Sequence, residues 1–381
     1  VEINQARTDL SALGGGSILL KRGTYDIRAA ITLAANVSIM GEGNSTVLRI
    51  ANGVAGVFNV INATGVSNVS ISDLKIDGNK AGVGGGSHYG IFFSSVSRSS
   101  ISHCDIEDLD VDGVFLWNST YNIVTFCKVL NCEYPPIWLQ ASHDNEILAN
   151  ECVCSGSDCG IEVYLSDRND ITDNNVHDCG FLGLVVDSGT GNIVRGNIVR
   201  QNLGEGISVN TDTYDTVIVG NVCELSTGAG GGIGVQGPRT VVMGNSCRNN
   251  AREGISVTAQ AFSVTVTGNV VEYNGREGIL LQWASYCSIT GNTLRNNSQE
   301  ANDTYSEIFL TRYIDDTRPS TYNAITGNTI FCDAAIKAKY GVREEYASCD
   351  RNLVVGNTFT GPVTANISLQ GANSFQAHNQ P

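Results

Sequence analysis

The chain is poor in proline, with 6 residues against 43 glycines in 381, and no apolar run approaches the length of a membrane span; such a span needs about 20 residues. No basic segment followed by an apolar one opens the sequence, so neither membrane insertion nor a visible leader is expected. The start at Val1 rather than Met suggests a processed or trimmed chain whose export signal, if any, lies outside it, and an extracellular or cell-surface location is the expectation. Basic residues are in deficit, 23 Lys and Arg against 38 Asp and Glu, giving a net charge of −15 and a pI near 4.7. That balance disfavours nucleic acid and anionic membrane surfaces as partners. What fills the chain is Gly, Val, Ile, Asn, Ser and Thr, a composition for many short strands joined by tight turns, with little room for helix.

From Gly90 to Gly278 a pattern of glycine, branched apolar residue, any residue and apolar residue keeps returning: YGIFFSS, DGVFLWN, PPIWLQA, CGIEVYL, LGLVVDS, EGISVNT, GGIGVQG, EGISVTA, EGILLQW. The anchors are Gly90, Gly113, Pro136, Gly160, Gly183, Gly206, Gly232, Gly254 and Gly278, a period near 23. One strand-bearing unit per period predicts a single all-β domain over 1–381, a right-handed parallel β-helix of about 11–13 coils with about 23 residues per coil. Leucine-rich repeats are excluded because no Leu-x-x-Leu-x-Leu register exists, and a propeller needs a period near ~40. Residues 1–13 place Ile3, Ala6, Leu10 and Leu13 at helical spacing before Gly14, predicting a short helix that caps the raw end of the first coil. First coils follow over 14–70, regular coils over 71–295 and looser ones over 296–381. The surplus AGVGGGSHY before Gly90 predicts a loop leaning over that strand and carrying His88. The charged stretches with Glu300, Asp303, Arg312, Asp315, Asp316, Arg318, Arg343, Glu344 and Glu345 read as protruding loops, solvated or making a homo-oligomer.

A recurring position eight to eleven residues before the next anchor holds Cys104, Cys127, Asn150, Asn175, Asn197, Asn221, Asn245, Asn269 and Asn292, the rungs of an interior ladder. The twelve cysteines read mainly as core residues, a disulfide of Cys152 or Cys154 with Cys159 being the alternative. No second half with His completes a zinc pattern. Scattered Asp residues could offer oxygen ligands to Ca²⁺ without singling out a site, so no cofactor is expected.

In each Gly-Ile-x-Val-x unit the branched residues point inward and the x positions outward, making two stripes. The first stripe is Phe92, Phe115, Trp138, Glu162, Val185, Ser208, Gly234, Ser256, Leu280; the second is Ser94, Trp117, Gln140, Tyr164, Asp187, Asn210, Gln236, Thr258, Gln282. Exposed aromatic rings beside carboxylates and amides suit a poly- or oligosaccharide, whose sugars offer apolar faces and hydroxyl edges. Phe115, Trp117, Trp138 and Tyr164 are the candidate platforms, with Gln140, Asn210, Gln236 and His88 as polar contacts. Glu162 and Asp187, on adjacent coils about 8 Å apart at Cβ, are the candidate acid and base for glycosidic cleavage or transfer. Against this stands the plain reading of both as solvated residues and of the tryptophans as covered by the loop. Asp112, Glu133, Asp158 and Glu205, at the bend before the strand, are reserve acids.

The helix leading into Gly-Gly-Gly, a strand and Gly-Thr-Tyr resembles the opening of pectate-lyase-superfamily proteins. LKIDGNKAG with the coils ending NAREGI and NGREGI is similar to the β-helical module of mannuronan C5-epimerases over most of 70–295. That resemblance implies a fold. The epimerase Tyr-Gly-Phe-Asp-Pro-His strand is best matched by Asp112 to Trp117, where Phe115 and Trp117 stand in place of its Asp and His, so its chemistry does not carry over. Polygalacturonase signatures are absent. A uronate lyase needs a base and a cation; the central stripes hold no Lys, Arg or His, while Arg239, Arg252, Arg276, Lys337 and Lys339 lie further along. Lyase or epimerase is therefore the second reading, and a non-catalytic adhesin or tailspike-like fibre the third.

Overall fold

A computed structural model describes residues 2–313 and 318–381. Asp315 and Asp316 lie outside the described residues. The chain forms two compact units, Val1–Gly180 and Phe181–Pro381. In each, every turn lays one short strand into each of three parallel sheets, the winding of a parallel β-helix. Within the first unit the first sheet runs from Gly16–Leu19 to Asp170–Thr172, the second from Gly23–Ile27 to Asn175–His177 and the third from Ile31–Thr32 to Ile161–Tyr164. Within the second unit the third sheet runs from Leu184–Asp187 to Ala365–Ser368, the first from Ile193–Arg195 to Phe375–Ala377 and the second from Ile198–Arg200 to Thr358–Thr360. First-sheet strands number 15 in all, so the chain makes about 15 turns where the spacing predicted 11–13. The extra turns come from the irregular ends, where the Gly-Ile pattern is lost but the pairing is not.

Branched apolar residues make these strands because only their inward side is dry. Ile91, Val114, Ile137 and Ile161 pair in register on consecutive turns and are fully buried, so like stacks on like. The turn after each first-sheet strand explains the recurrent Gly-Asn. Gly196, Gly220, Gly244, Gly268, Gly291, Gly327 and Gly356 hold φ from +63° to +67°, the left-handed region, and the next Asn swings into the core. The cost of a side chain at this corner can be isolated at Gly244, whose added Cβ would meet nothing within 4 Å. Gly244→Ala should therefore lose about 1 kcal/mol from backbone strain alone, and Gly244→Asn less. Equal stability of the three proteins in denaturant titration would contradict this.

The buried Asn side chains form the predicted ladder. In the second unit the Oδ1 of each Asn accepts the backbone N–H and Nδ2–H of the one before it, from Asn197 through Asn221, Asn245, Asn269, Asn292, Asn328 and Asn357 to Asn379. In the first unit Cys127 N–H bonds Asn150, and Asn150 bonds Asn174. The rung there is Asn174, not Asn175, which opens the following strand; register along the first sheet, not distance to the next anchor, sets the rung. All twelve cysteines are buried, and Cys152 and Cys154 are free thiols, so the disulfide alternative with Cys159 is not formed.

The helix Glu2–Ala12 caps the first turn through Asn4, whose Nδ2 donates to Ala30 O at 2.9 Å and whose Oδ1 accepts from Thr32 N at 3.0 Å. Leu13, expected on its apolar face, is exposed because the helix has already ended. The glycine-rich surplus before Gly90 is not a free loop. Part of it lengthens the strand Gly86–Ser94, pairing with Gly56–Thr64, which offers an equally long edge. His88 is consequently fully buried, its Nδ1 2.7 Å from Asp110 Oδ2, and is removed from the surface where it was expected. Glu344, expected in a protruding loop, is also buried. Asn352 Nδ2 donates to its Oε1 at 2.8 Å, and the backbone N–H groups of Gln370 and Gly371 donate to its Oε2 at 2.9 Å.

Candidate functional site

The third sheet of the first unit presents the two aromatic-rich stripes in register: Phe92↔Phe115↔Trp138↔Glu162 and Ser94↔Trp117↔Gln140↔Tyr164. One strand spacing separates successive members, close enough for flat rings to stack. Phe115 and Trp138 do so, with ring centroids 4.3 Å apart and planes at 9°. Phe92 lies 5.2 Å from Phe115 and 6.3 Å from Trp117, and Tyr89, from the residue before Gly90, lies 6.1 Å from Phe115. Together they form a shelf. Beside it, Val57, Asn59, Tyr89, Phe92, Phe115, Trp117 and Gln140 line a cavity of about 320 Å³.

Trp117 is 47% exposed at the edge of this shelf, whereas Phe115 is nearly closed off by the rings on either side. Phe115 is thus a support for the shelf more than an open platform. Trp138 is half-buried, and its Nε1 is buried without a hydrogen-bond partner among the described residues. Glu162, beside Trp138 in the pairing, and Tyr164, beside Gln140, are both half-buried.

Behind the shelf sits an acid that stripe reasoning held only in reserve. Asp112 is 1% exposed, and neither carboxyl oxygen has a hydrogen-bond partner among the described residues. Burial holds its carboxyl well above the usual carboxylate range, and the charges of Asp158 and Glu162 push it in the same direction. Burial likewise raises the Tyr89 phenol, with Asp112 adding to it. The aromatic stripe, the residue before the anchor glycine and Glu162 thus act on one another within this unit. The signal for Asp112 was an acid at the bend before the anchor, a position it shares with Glu205, Glu253 and Glu277, and only the packing shows it to be dry.

The remaining candidates lie in the second unit. Asp187 ends the strand Leu184–Asp187, where Asn210 Nδ2 donates to its Oδ2 at 3.0 Å and Ser188 Oγ to its Oδ1 at 2.9 Å. Gln236 is half-buried on the same stripe. The other stripe is closed there. Glu205 folds its carboxyl into the space that a Cβ on Gly234 would fill, and burial raises it above its ordinary value. Among the described residues no group of three or more His, Cys, Asp or Glu is arranged to hold a metal ion, and no helix is long and apolar enough to cross a membrane.

The profile of the right handed beta helix region matches residues 38–169, 159–307 and 222–380. Among solved structures the chain is similar to the A-module of the Azotobacter vinelandii mannuronan C-5 epimerase AlgE4, at 20% identity over 98% of this chain and 94% of that one, with a TM-score of 0.50. It is also similar to the tailspike protein of E. coli bacteriophage HK620 in complex with a pentasaccharide, at 15% identity over 98% and 76%, with a TM-score of 0.75. A variant of that tailspike in complex with a hexasaccharide matches at 14% over 98% and 75%, with a TM-score of 0.72. At these identities the likeness is one of fold.

Proposed function

The chain belongs to the right-handed β-helix family, and from that premise we propose that it is an extracellular or cell-surface protein that binds a saccharide and processes its glycosidic bonds. The observation that carries this reading is the shelf of the first unit: Phe115 stacked on Trp138 behind an exposed Trp117, with Gln140 and Glu162 beside it. Indole and phenyl faces take the apolar faces of sugar rings, and the amide and carboxyl take their hydroxyls. The epimerase module and the tailspike, whose names state mannuronan and a pentasaccharide, lend the fold; the ligand is argued from this chain's own surface.

In this reading a sugar lies on Trp117 and Trp138, with Tyr164 extending the platform, and Glu162 exchanges a proton with the glycosidic oxygen. Asp112 is buried and touches no sugar. Its burial disfavours the charged form, which limits the negative charge accumulating behind Glu162. Asp187 belongs to the second unit and is held by Asn210 and Ser188 as a polar contact of that unit.

A panel of neutral and uronic polysaccharides tests the proposal, with binding followed by tryptophan fluorescence and cleavage by new reducing ends and by the ultraviolet absorbance of unsaturated products. Trp117→Ala is expected to weaken binding about tenfold, or ~1.4 kcal/mol, and Glu162→Gln to keep binding while losing turnover. Full turnover in Glu162→Gln removes the proton-transfer role. Unsaturated product would replace hydrolysis by elimination, and binding without any product would leave a binding protein.

A further inference from the structure

The second unit has a groove of about 310 Å³ unlike the aromatic shelf in its chemistry. Its floor is Leu280, Gln282, Phe309 and Thr311, from the strands Ile279–Gln282 and Ser306–Thr311, which pair Leu280↔Phe309 and Gln282↔Thr311. Glu253 and Glu277 precede the anchor glycines of neighbouring turns, and Gly254 N–H donates to Glu277 O at 3.0 Å, so the two acids stand one strand spacing apart along one edge. Three guanidiniums enter the same space. Arg276 bonds Glu300 at 2.8 Å and lies 5.7 Å from the Tyr305 ring; Arg312 stacks 4.0 Å over Tyr346. Arg252 reaches Glu253 at 3.5 Å, and its Nε is buried with no hydrogen-bond partner among the described residues.

Glu277 is the unusual member. It is 8% exposed, yet it lines the groove, and its carboxyl is bonded by its own backbone amide with Arg276 and Arg252 acting on it by charge. A carboxyl buried this far is retained at a cost unless it serves something that enters. The groove wall carries Arg252, Arg276 and Arg312 against Glu253, Glu277 and Glu345. With Glu300, which bonds Arg276, these groups sum to one net negative charge when Glu277 is ionised and to none when it is protonated, in a chain whose net charge is −15.

We propose that this groove binds a carboxylate-bearing sugar residue, its guanidiniums taking the carboxylate and its tyrosine rings the sugar face, and that protonation of Glu277 opens the site to the anion. Guanidinium pairs a carboxylate through two parallel N–H donors, and aromatic rings at its side orient the ring that carries it. Burial pushes the Glu277 carboxyl up to about 7, with Glu253 adding to the rise and Arg276 and Arg252 opposing it. The other charged or titratable groups facing the groove are Glu300, Tyr305, Arg312, Glu345 and Tyr346. Below that value Glu277 is a neutral hydrogen-bond donor to the anion; above it, a repelling charge. The inference rests on the saccharide reading only for the class of ligand, and its site lies in a different unit from the shelf.

The test is calorimetric titration of the intact protein with a galacturonic acid oligomer and with its carboxyl-reduced, neutral counterpart, at about pH 5.5 and about pH 8.5, on either side of the Glu277 titration. The acidic oligomer should bind at least about tenfold more tightly than the neutral one, and about tenfold more tightly at the lower pH. Glu277→Gln should bind at both pH values without that fall. Arg312→Ala, a change that does not depend on the fate of the Glu277 variant, should weaken the acidic oligomer about tenfold, while Lys21→Ala in the first unit leaves it unchanged. Equal binding of the neutral oligomer, no binding of the acidic one, or an unaltered pH dependence in Glu277→Gln overturns the proposal. Loss of acidic-oligomer binding in Trp117→Ala but not in Arg312→Ala would transfer the ligand to the shelf and sink the groove alone.

Discussion

Replacing Asn245 by leucine is expected to cost the second unit roughly 4 kcal/mol, although the two side chains are close in size. Asn245 Oδ1 accepts the backbone N–H of Asn221 at 2.8 Å and its Nδ2–H at 2.9 Å, while Asn245 Nδ2 donates to Ile218 O and to Asn269 Oδ1, both at 3.0 Å. Leucine removes all four bonds. The backbone N–H of Asn221 and the carbonyl of Ile218 then remain in a dry core, and each such orphan costs about 1–3 kcal/mol. Added apolar burial offsets only part of this, since the ladder position is already fully enclosed. Urea unfolding of the intact protein, followed by far-ultraviolet circular dichroism, measures the loss; a change below about 1 kcal/mol would show that the ladder does not hold the turns together.

The second large effect is a pH dependence set by Glu307. This residue closes a shorter ladder, Asn250 to Asn274 to Asn297, by accepting the backbone N–H of Asn297 at 3.1 Å and a bond from its Nδ2. It is fully buried, and burial pushes its carboxyl from 4.5 up to about 7 against the opposing hydrogen bonds from Asn297. An acid whose folded value lies above its unfolded one contributes stability that is complete below the unfolded value and is lost as pH rises through the folded one. Stability should therefore fall between about pH 4.5 and about pH 7 by an amount on the order of 3 kcal/mol, then level off. Glu307→Gln should remove most of that slope. Glu277, raised to about 7, contributes to the slope that remains, and burial shifts Asp112 and Glu205 in the same direction. Unfolding midpoints that rise across this window, or a Glu307→Gln protein with the wild-type slope, would refute the assignment.

Both effects fall on residues of different legibility. Asn245 was plain in the sequence because a repeat prints its interior polar position at a fixed distance from a glycine whose left-handed φ only a few residues tolerate. Glu307 was not, because the repeat loosens after Gly278 and an acid in a long irregular segment reads as solvent-facing. Glu344 was hidden for the same reason: its partners Gln370, Gly371 and Ser374 come from the next turn and share no motif with it. His88 was misplaced by composition. Glycines signal a loop, but here an equally long strand, Gly56–Thr64, was available to pair with them.

The surface divides in the same way. Period-two alternation settled which of Phe115, Trp117, Trp138 and Glu162 face outward, and their pairing on successive turns is as the repeat requires. It could not say that Phe115 would be sealed by Trp138, that Asp112 would lie dry behind them, or that Glu205 would fill the gap at Gly234. Arg252, Arg276 and Arg312 were visible as basic residues in the later coils. Their convergence with Glu277 and two tyrosine rings on one groove was not, since Arg312, Glu345 and Tyr346 sit in segments outside the repeat.

By itself, then, the sequence determined the winding, the inward and outward positions and the polar ladder, because each depends only on local alternation and on a step that brings a residue above its own counterpart. Tertiary structure alone decided which outward residues stay open, which acids are dry and harder to ionise, and which charges meet. Those properties depend on how side chains from neighbouring turns and from non-repeating segments fill the space above the sheet, and burial, not residue type, decides whether a carboxyl there is a solvated charge or a proton donor.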